Sequence, residues 1–432
     1  MYDLQLSGDT AIYTDKVENR RISVPAASCA GMFAAGTPPT NTDKSVYLSC
    51  LQTPVAGKAL RDIAKEKQAK TAAVIVSDIT RNVPTHTVAG HIVDELVAGG
   101  VPMEGITFFV ALGVHRDATT PEMKSFIGSD LYGKVAIENH EPFSEDKLIS
   151  LGTTTRGTPV SVNKKAYQCD VKVVVGKVEL HEMAGFSGGR KSVLPGVASE
   201  KTILVNHRPE MIFDPGTGAG KLAGNPIHED MVEAAKMFGV DFNVNFVVDA
   251  TEQPSRVFAG SLEESHLQAT EYVREFCTIA LPEKPDVFVI TPGSPLNCDM
   301  YQGVKALIAM HHVLDANTVV LLYAAFPEGM NSDDFVAPLL KYPDDLDKAK
   351  NYAWNNYKIQ MDHTLPIIEI IKTGAKIVVC TDHVPDTLIR ALHMTPCPDL
   401  DNAMTLAVKL SGKQNPRVAF CPQPQRGLVS YR

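Results

Sequence analysis

Short apolar runs rich in β-branched residues recur along the chain and alternate with longer amphipathic stretches. The helix-like stretches lie at residues 87–98, 229–238 and 304–312. The apolar runs lie at residues 72–76, 106–112, 171–175, 246–248, 287–290, 319–323 and 376–379. Buried strands that alternate with helices are typical of parallel sheets joined by crossover helices. The pattern therefore predicts an α/β fold with mainly parallel sheets flanked by helices.

The chain of 432 residues is longer than one typical domain, so two domains are expected. A proline-punctuated connector, Ala-Leu-Pro-Glu-Lys-Pro-Asp at residues 280–286, precedes the strand that begins at 287. We therefore predict an N-terminal α/β domain over residues 1–275 and a C-terminal α/β domain over residues 286–415. The tail, residues 416–432, contains one more strand candidate at 418–421 and is a candidate to return to the N-terminal domain.

The composition is ordinary for a globular protein, and the charge and residue pattern argue against some classes of partner. The formal net charge of -9 argues against non-specific binding of nucleic acid, which needs a basic surface. Residues 1–7 lack the basic and apolar regions of a signal peptide, and no apolar run is long enough to span a membrane. The eight cysteines are scattered without a C-x-x-C pair, which favours reduced thiols. A cytoplasmic enzyme with no nucleic-acid or membrane partner is expected.

The most informative stretch runs from His181 to Gly196 and directly follows an apolar run at 171–176. Glycines at 185, 188 and 189 allow the backbone to take positive φ and to approach a ligand closely. Lys191 is suited to a covalent link or to a phosphate group. His207, sixteen positions after Lys191, is suited to bind a metal.

Further polar segments follow other predicted strands, at residues 77–81, 113–117, 292–295 and 301–305. Ligands of open α/β sheets bind at the carboxyl ends of the strands, so these segments predict a cleft rich in His, Arg, Lys and Asp. Each residue alone also has an ordinary interpretation: His115 caps a helix, Arg81 forms a surface ion pair worth about 1 kcal/mol or less, and Lys191 is solvated. The residues by themselves indicate an α/β enzyme acting on an anionic small molecule, with a bound metal as one option.

A metal at His207 would need most of its other ligands from elsewhere, because the chain contains neither an H-E-x-x-H motif nor a Cys/His cluster of zinc spacing. An organic cofactor is one source of such ligands. Imidazole suits nickel, copper, zinc or iron, so the residues alone leave the metal open.

Taken in order, the motifs of this chain resemble those of the nickel-pincer lactate racemase family, over most of both halves. The motifs are Asp78-Ile79-Thr80-Arg81, Gly113-Val114-His115, His181 ahead of Ala-Gly-Phe-Ser-Gly-Gly-Arg-Lys191, Pro195-Gly196, Asn206-His207 and Tyr301-Gln302-x-x-Lys305. Each motif is weak alone, and their shared order and spacing make the resemblance specific.

The resemblance implies a nickel-pincer nucleotide, that is, a Ni(II) pyridinium-3-thioamide-5-thiocarboxylic acid mononucleotide. In the family this cofactor is joined to a lysine, here Lys191, and its nickel is completed by a histidine, here His207. Soft sulfur donors with one imidazole suit square-planar Ni(II). Residues that match the family's remaining cofactor contacts are Asp78, Ile79, Thr80, Arg81 and Pro195. Separate cofactor-assembly enzymes are the implied partners.

The resemblance also implies an isomerase that racemises or epimerises a 2-hydroxy acid at C2 by proton-coupled hydride transfer. His115 and His181 match the family's two bases, and histidine suits both directions of proton transfer. Tyr301, Gln302 and Lys305 match the substrate contacts, with Lys305 providing charge for the carboxylate. Because these three come from the second domain, the active site is expected in the interdomain cleft.

One departure bears on the substrate. Lactate-specific members carry a tryptophan near the lactate methyl group, whereas the only tryptophan here, Trp354, falls earlier and residues 361–364 read Met-Asp-His-Thr. Asp362 would repel a second carboxylate, and Asp with His suits hydroxyl groups. We therefore expect a polar or sugar acid, with gluconate-like 2-epimerisation favoured over lactate or malate. An equally plain interpretation is that Asp362 and His363 begin a helix.

Two functions of another class stay open. A hydrolase or lyase could use an ordinary divalent metal at His207, and a two-domain binding protein could close on an organic acid. The first lacks a multi-ligand cluster in the sequence. The second would leave His115, His181 and Lys191 without a purpose.

Overall fold

The computed structural model describes residues 2–41 and 43–431. Its strands, in chain order, are β1 (Tyr2–Ser7), β2 (Thr10–Asp15), β3 (Arg20–Pro25), β4 (Cys29–Met32), β5 (Ala72–Ser77), β6 (Ile106–Ala111), β7 (Ala136–Asn139), β8 (Leu148–Thr153), β9 (Pro159–Asn163), β10 (Val171–Lys177), β11 (Leu180–His181), β12 (Gly185–Phe186), β13 (Phe242–Val248), β14 (Pro254–Gly260), β15 (Thr278–Leu281), β16 (Val287–Thr291), β17 (Val319–Tyr323), β18 (Lys376–Cys380), β19 (Thr395–Pro396), β20 (Val418–Pro422) and β21 (Leu428–Tyr431).

The α-helices are α1 (Val46–Gln52), α2 (Leu60–Glu66), α3 (His86–Ala98), α4 (Thr120–Ile127), α5 (Lys164–Gln168), α6 (Glu200–Asn206), α7 (Pro209–Ile212), α8 (Pro226–Phe238), α9 (Leu262–Arg274), α10 (Met300–Gly303), α11 (Lys305–Ile308), α12 (Asp333–Lys341), α13 (Leu346–Asn355), α14 (Thr364–Lys372), α15 (Asp386–Ala391) and α16 (Leu400–Ser411). Short 3₁₀ turns at Ile79–Arg81 and Gly189–Ser192 carry candidate site residues. Among the described residues, no helix combines the length and the apolar character that crossing a bilayer requires.

The chain folds into two compact units. The middle unit comprises Thr37–Glu275, and the terminal unit joins the two ends of the chain, Met1–Gly36 and Phe276–Arg432. Each unit is built around its own six-stranded sheet.

The sheet of the middle unit has the strand order β14-β13-β10-β5-β6-β7. All of its neighbouring strands are parallel except β14, which runs antiparallel to β13. Every residue of β10 and β13 is buried, as expected for strands whose two faces are both covered. Helix α9 packs on β13 and β14, and α3 packs against α1 and α2. The apolar side chains of β5, β6, β10 and β13 form one core with those of α3.

This topology brings three polar segments to one edge of the sheet. The adjacent strands β10, β5 and β6 are parallel, so they end on the same side. Asp78 follows β5, His115 lies four residues after β6, and His181 lies four residues after β10. The carboxyl edge of this sheet is therefore where chemistry is expected.

The terminal unit has a fully parallel sheet with the order β19-β18-β17-β16-β20-β4. The antiparallel strands β1, β2 and β3 form a second sheet, and β15 pairs in parallel with β21. Apolar residues of β2, β3, β16, β17 and β20 share a core with helix α16. The fold-class prediction, mainly parallel sheets flanked by helices, is confirmed.

The division of the chain differs from the one expected. The tail strand β20 lies between β16 and β4 and is buried throughout, so residues after 416 complete the terminal sheet instead of returning to the N-terminal domain. Residues before Gly36 also belong to this unit. A boundary inferred from linker composition cannot detect a strand that returns from far along the chain. The helix expected over 304–312 is shorter, with α11 followed by a 3₁₀ turn at His311–Val313.

The buried tail strand can be tested with Phe420→Ala. Phe420 is fully buried and stacks on Tyr13 with ring centroids 4.6 Å apart. Removing a buried aromatic ring leaves a cavity, so the free energy of unfolding should fall by about 3–5 kcal/mol in urea denaturation. Leu340→Ala is the control, because that side chain lies in the same unit and is 51% exposed. Its truncation should change the free energy of unfolding little. Equal effects of the two substitutions would contradict this packing.

Candidate active site

Asp78 and His115 form a hydrogen-bonded pair at the carboxyl edge of the middle sheet. The Oδ2 atom of Asp78 lies 2.6 Å from Nδ1 of His115, and the hydroxyl of Thr80 donates to Oδ1 at 2.7 Å. Burial alone would raise the pKa of Asp78, but the hydrogen bond and charge of His115, with Arg81, hold that pKa below its usual range. An ionised carboxylate can only accept, so Nδ1 of His115 carries the hydrogen and Nε2 carries the lone pair.

The segment between Asp78 and α3 is a tight turn. Ile79–Arg81 forms a 3₁₀ turn that ends at Asn82 in the left-handed region. The guanidinium of Arg81 donates to the hydroxyl of Thr80 at 3.2 Å and is partly exposed. The turn therefore joins Arg81, Thr80 and Asp78 in one hydrogen-bonded chain that ends at His115.

His181 sits in a small hairpin in which β11 pairs with β12. Its Nδ1 atom accepts backbone N–H groups of Met183 at 3.2 Å and Ala184 at 3.3 Å, and its Nε2 atom lies 3.0 Å from Nζ of Lys191. The Glu182 carboxylate lies 3.5 Å from Nδ1. The backbone of the hairpin thus orients the ring and turns Nε2 toward the lysine.

The expected glycine conformations are confirmed at residues 185, 188 and 189, where φ is +78°, +78° and +52°. A Cβ atom on Gly185 would lie 1.9 Å from the carbonyl oxygen of Lys221, and one on Gly188 would lie 2.6 Å from Val178. Side chains at these positions would displace the loop that connects His181 to Lys191.

Arg190 braces that loop from inside the protein. Its side chain is 1% exposed and donates to the carbonyl oxygens of Ala184 at 2.7 Å, Ser187 at 3.2 Å and Gly188 at 3.2 Å. A fourth contact reaches Nε2 of His266 at 2.9 Å. Burial lowers the pKa of Arg190 to about 9, so the guanidinium stays charged at neutral pH. The planar, five-donor guanidinium ties several turns of backbone together in a way that lysine could not.

The Pro195–Gly196 segment lies beside the loop that carries His115. The N–H of Gly113 donates to the carbonyl of Gly196 at 2.9 Å, and a Cβ on Gly113 would lie 3.5 Å from that of Pro195. The segments after β6 and after Lys191 are therefore in direct contact.

His207 follows the last residue of α6 and is 7% exposed. Its Nδ1 lies 3.3 Å from the carbonyl oxygen of Ile203, so Nδ1 carries the hydrogen and Nε2 has the lone pair that a metal requires. This is the tautomer of a metal-binding histidine oriented by a backbone carbonyl. Within the described part of the chain, no three His, Cys, Asp or Glu side chains gather as a metal site.

The expected substrate contacts lie in the terminal unit. Tyr301 and Gln302 belong to α10, Lys305 begins α11, and all three are at least 91% buried. The Oε1 atom of Gln302 is buried and has no hydrogen-bond partner among the described residues. A buried amide oxygen without a partner is costly, which is consistent with an acceptor reserved for a ligand.

Asp362 and His363 adjoin Tyr301. The hydroxyl of Tyr301 donates to Oδ1 of Asp362 at 2.9 Å, and the ring stacks on His363 with centroids 4.5 Å apart. Nδ1 of His363 lies 2.9 Å from the carbonyl oxygen of Tyr301. The two residues precede α14 as expected of a helix start, but their side chains are held by Tyr301 and do not cap the helix.

The structure therefore places some of the predicted residues in direct contact. Asp78 with His115 and His181 with Lys191 are in contact, and the catalytic, cofactor-binding, metal-binding and substrate-binding roles assigned to all of the candidate residues stay predictions. Sequence reasoning missed that Asp78 binds His115, and it missed the bracing role of Arg190. It also missed Asn225, whose amide donates to the carbonyl of Met183 at 2.7 Å. Asn225 before a proline is a recognisable helix cap, but nothing local indicates its contact with the His181 loop.

Comparisons with known proteins match this chain to lactate racemases over most of its length. Residues 16–220 match the model of the lactate racemase N-terminal domain, and residues 282–425 match that of the lactate racemase C-terminal domain. The lactate racemase of Thermoanaerobacterium thermosaccharolyticum is 32% identical over 374 residues, which cover 85% of this chain and 86% of that protein. The lactate racemase of Lactiplantibacillus plantarum is 30% identical over 369 residues, covering 84% and 85% respectively. The solved structure of the lactate racemase apoprotein from T. thermosaccharolyticum matches with a TM-score of 0.86 at 28% identity, covering 95% of this chain and 97% of that one.

The bracing role of Arg190 is testable by Arg190→Met. The substitution keeps an unbranched side chain but leaves the carbonyls of Ala184, Ser187 and Gly188 without their donor, so unfolding in urea should require about 2–4 kcal/mol less free energy. Arg116→Met is the matched control, because that arginine is 58% exposed and pairs with Glu122 at the surface. A loss no larger than that of the control would refute the bracing role.

Proposed function

This chain belongs to the lactate racemase family, a family of isomerases, and from that premise we propose that it interconverts the two configurations at C2 of a 2-hydroxy acid. The observation that carries the proposal is the arrangement of His115 and His181. Both histidines leave the carboxyl edge of one parallel sheet, and a different fixed partner orients each ring.

His115 accepts the substrate proton in the direction of the reaction in which its ring starts neutral. Asp78 holds the hydrogen on Nδ1, so the lone pair of Nε2 is available for the proton of the 2-hydroxyl group. When Nε2 takes that proton, the ring becomes a cation beside an ionised carboxylate. The charge of Asp78 therefore stabilises the form of His115 that arises during the reaction.

His181 is the second proton-transfer residue. A planar 2-keto acid that receives hydride on its other face presents its oxygen differently, so one histidine cannot serve both enantiomers. Before turnover, Nδ1 of His181 accepts backbone N–H groups, so protonation of Nδ1 must replace those contacts. Glu182, 3.5 Å from Nδ1, would then stabilise the protonated ring, which gives up a proton from Nε2. In the reverse direction the two histidines exchange roles.

Members of this family use a nickel cofactor, and the middle unit has residues that suit it. When bound, the nickel-pincer nucleotide supplies a centre that accepts hydride from C2 and returns it, which amino-acid side chains cannot do. His207, with its Nε2 lone pair, would complete the nickel coordination, and Lys191 would hold the cofactor covalently. Arg81, with residues 78–80 and Pro195, would contact the nucleotide, because a guanidinium binds phosphate in a bidentate manner.

Lys305, Gln302 and Tyr301 would bind the substrate. The ammonium of Lys305 suits the carboxylate common to all 2-hydroxy acids, and Oε1 of Gln302 is an acceptor without a partner among the described residues. These contacts recognise the part of the molecule that reacts and leave the remainder of the acid to other residues.

The chain beyond C2 is where candidate substrates differ. Asp362 and His363 give the surroundings of Tyr301 a polar character, which favours an acid with further hydroxyl groups and opposes a second carboxylate. The names of the relatives favour lactate instead. A sugar acid such as gluconate is the substrate we propose, and lactate is the second candidate.

The test uses the protein produced together with the family's cofactor-assembly enzymes. We expect either enantiomer of the accepted acid to approach a mixture of both, and deuterium at C2 to be retained in H2O because it moves as hydride. Lactate, malate and gluconate, each deuterated at C2, should be compared at equal concentration. Rapid loss of deuterium to solvent would contradict hydride transfer, and nickel-loaded protein that changes none of a broad panel of 2-hydroxy acids would contradict the function.

Asp78→Asn should lower kcat about a hundredfold or more while changing KM little. Asparagine nearly preserves the shape but removes the charge that stabilises protonated His115, and it can present an N–H where an acceptor is required. The measurement is the steady-state rate of racemisation on the best substrate. Asp117→Asn is the control, since Asp117 is an exposed carboxylate in the loop that carries His115. Unchanged kcat in Asp78→Asn would show that the pair does not act in proton transfer.

A further inference from the structure

Lys191 and His181 bring two normally basic nitrogens together. Nζ of the lysine and Nε2 of the histidine are 3.0 Å apart, a hydrogen-bond distance. A hydrogen bond needs one donor and one acceptor, so the protonation states of the two side chains are linked.

The backbone decides which nitrogen donates. Nδ1 of His181 accepts the N–H groups of Met183 and Ala184, so in the neutral ring the hydrogen resides on Nε2. If the ring is instead protonated on both nitrogens, Nε2 still carries a hydrogen. In either form Nε2–H points at Lys191, and an ammonium group has no lone pair to accept it. This contact therefore requires Lys191 to be a neutral amine.

Two charged residues of the same loop bear on the protonation of Lys191. Arg190 precedes Lys191, is fully buried, and has carbonyl groups and His266 as its hydrogen-bond partners, so among the described residues no carboxylate is paired with it. A buried cation one residue away in the chain disfavours a second positive charge in this loop. Glu182 opposes this effect, but it lies on the Nδ1 side of the His181 ring, away from the lysine.

We propose that His181 holds Lys191 as an unprotonated amine, so that this lysine is ready to attack the thiocarboxyl carbon of the incoming nucleotide. An ordinary lysine, with a pKa of about 10.4, would be almost entirely protonated at neutral pH and could not react. The inference rests on the proposed function, in which Lys191 carries the cofactor. It assigns His181 a positioning role that precedes its role in proton transfer.

The coupling step is a condensation of an amine with a thiocarboxylic acid. The Lys191 nitrogen forms a bond to the thiocarboxyl carbon, and the bond from that carbon to oxygen breaks. The oxygen leaves as water with one proton from the amine and one from the acid, and sulfur stays on the carbon to give the thioamide. Nothing is oxidised or reduced. Because a thioamide nitrogen is a poor acceptor, coupling also ends the contact with Lys191 and lets Nε2 of His181 turn to the substrate.

The test labels the protein before any cofactor is attached. The chain, made without the assembly enzymes, is treated with acetic anhydride at about pH 7 and about pH 10.5, and the acetylation rate of each lysine is read by peptide mass spectrometry. The ratio of the two rates cancels the accessibility of the side chain. Lys164, which is exposed in the same unit, is the internal reference.

Lys191 should keep most of its acetylation rate when the pH is lowered from about 10.5 to about 7. The acetylation rate of an ordinary lysine should fall about a thousandfold over the same change. His181→Gln should preserve this behaviour, because the glutamine amide can donate in place of Nε2–H. His181→Glu should lower the neutral-pH ratio of Lys191 at least about tenfold, since a carboxylate stabilises the ammonium. The proposal would be overturned if Lys191 of the wild type had the same ratio of acetylation rates as Lys164. It would also be overturned if His181→Glu left the ratio of Lys191 unchanged.

A second readout separates this inference from the racemase assignment. When produced with the assembly enzymes, His181→Gln should carry the cofactor mass on the Lys191 peptide but should not racemise, because glutamine cannot transfer a proton. His181→Glu should lack the adduct. An adduct on His181→Glu as complete as on the wild type would refute the positioning role. The labelling ratio involves neither cofactor nor turnover, so it stands even if the racemase assignment fails.

Discussion

The parallel pairing of β5 with β6 and β10 is the constraint on which the candidate site depends. Parallel neighbours end at the same edge of a sheet, so the segments after these three strands are brought together although they are far apart in sequence. The strands can run through the core because their residues are apolar and β-branched. The chemistry-bearing residues are then confined to the loops that follow, where backbone and ligand can meet.

The loops at this edge orient their two histidine rings through opposite hydrogen-bond roles of Nδ1. A carboxylate accepts from Nδ1 of His115, whereas backbone N–H groups donate to Nδ1 of His181. One ring therefore presents a lone pair on Nε2 and the other presents a hydrogen. Arg190 stabilises the arrangement at His181, because it donates to carbonyl groups of the turn that supplies those N–H groups. Which ring nitrogen of each histidine carries hydrogen therefore depends on the residues that hold the ring as well as on the histidine itself.

Sequence reasoning predicted the two sheets well because buried parallel strands are marked by local composition. It also identified glycines with positive φ, since that conformation is a property of single residues. It misplaced the tail, because β20 pairs with β16 and β4, both of which precede it by more than a hundred residues of chain. It read Asp362 and His363 as substrate contacts or a helix start, and only the fold shows that both are held by Tyr301.

By itself the sequence determined the fold class, the family and the identity of the candidate residues, because these are encoded in local patterns and in the order of motifs. Only the tertiary structure decided which of those residues touch. Asp78 matched a cofactor contact of the family on sequence grounds, yet its carboxylate binds His115. Lys191 meets His181, ten residues earlier, across a hairpin. Hydrogen-bond partners, and the protonation states that follow from them, depend on distances of a few ångströms that a linear pattern does not contain.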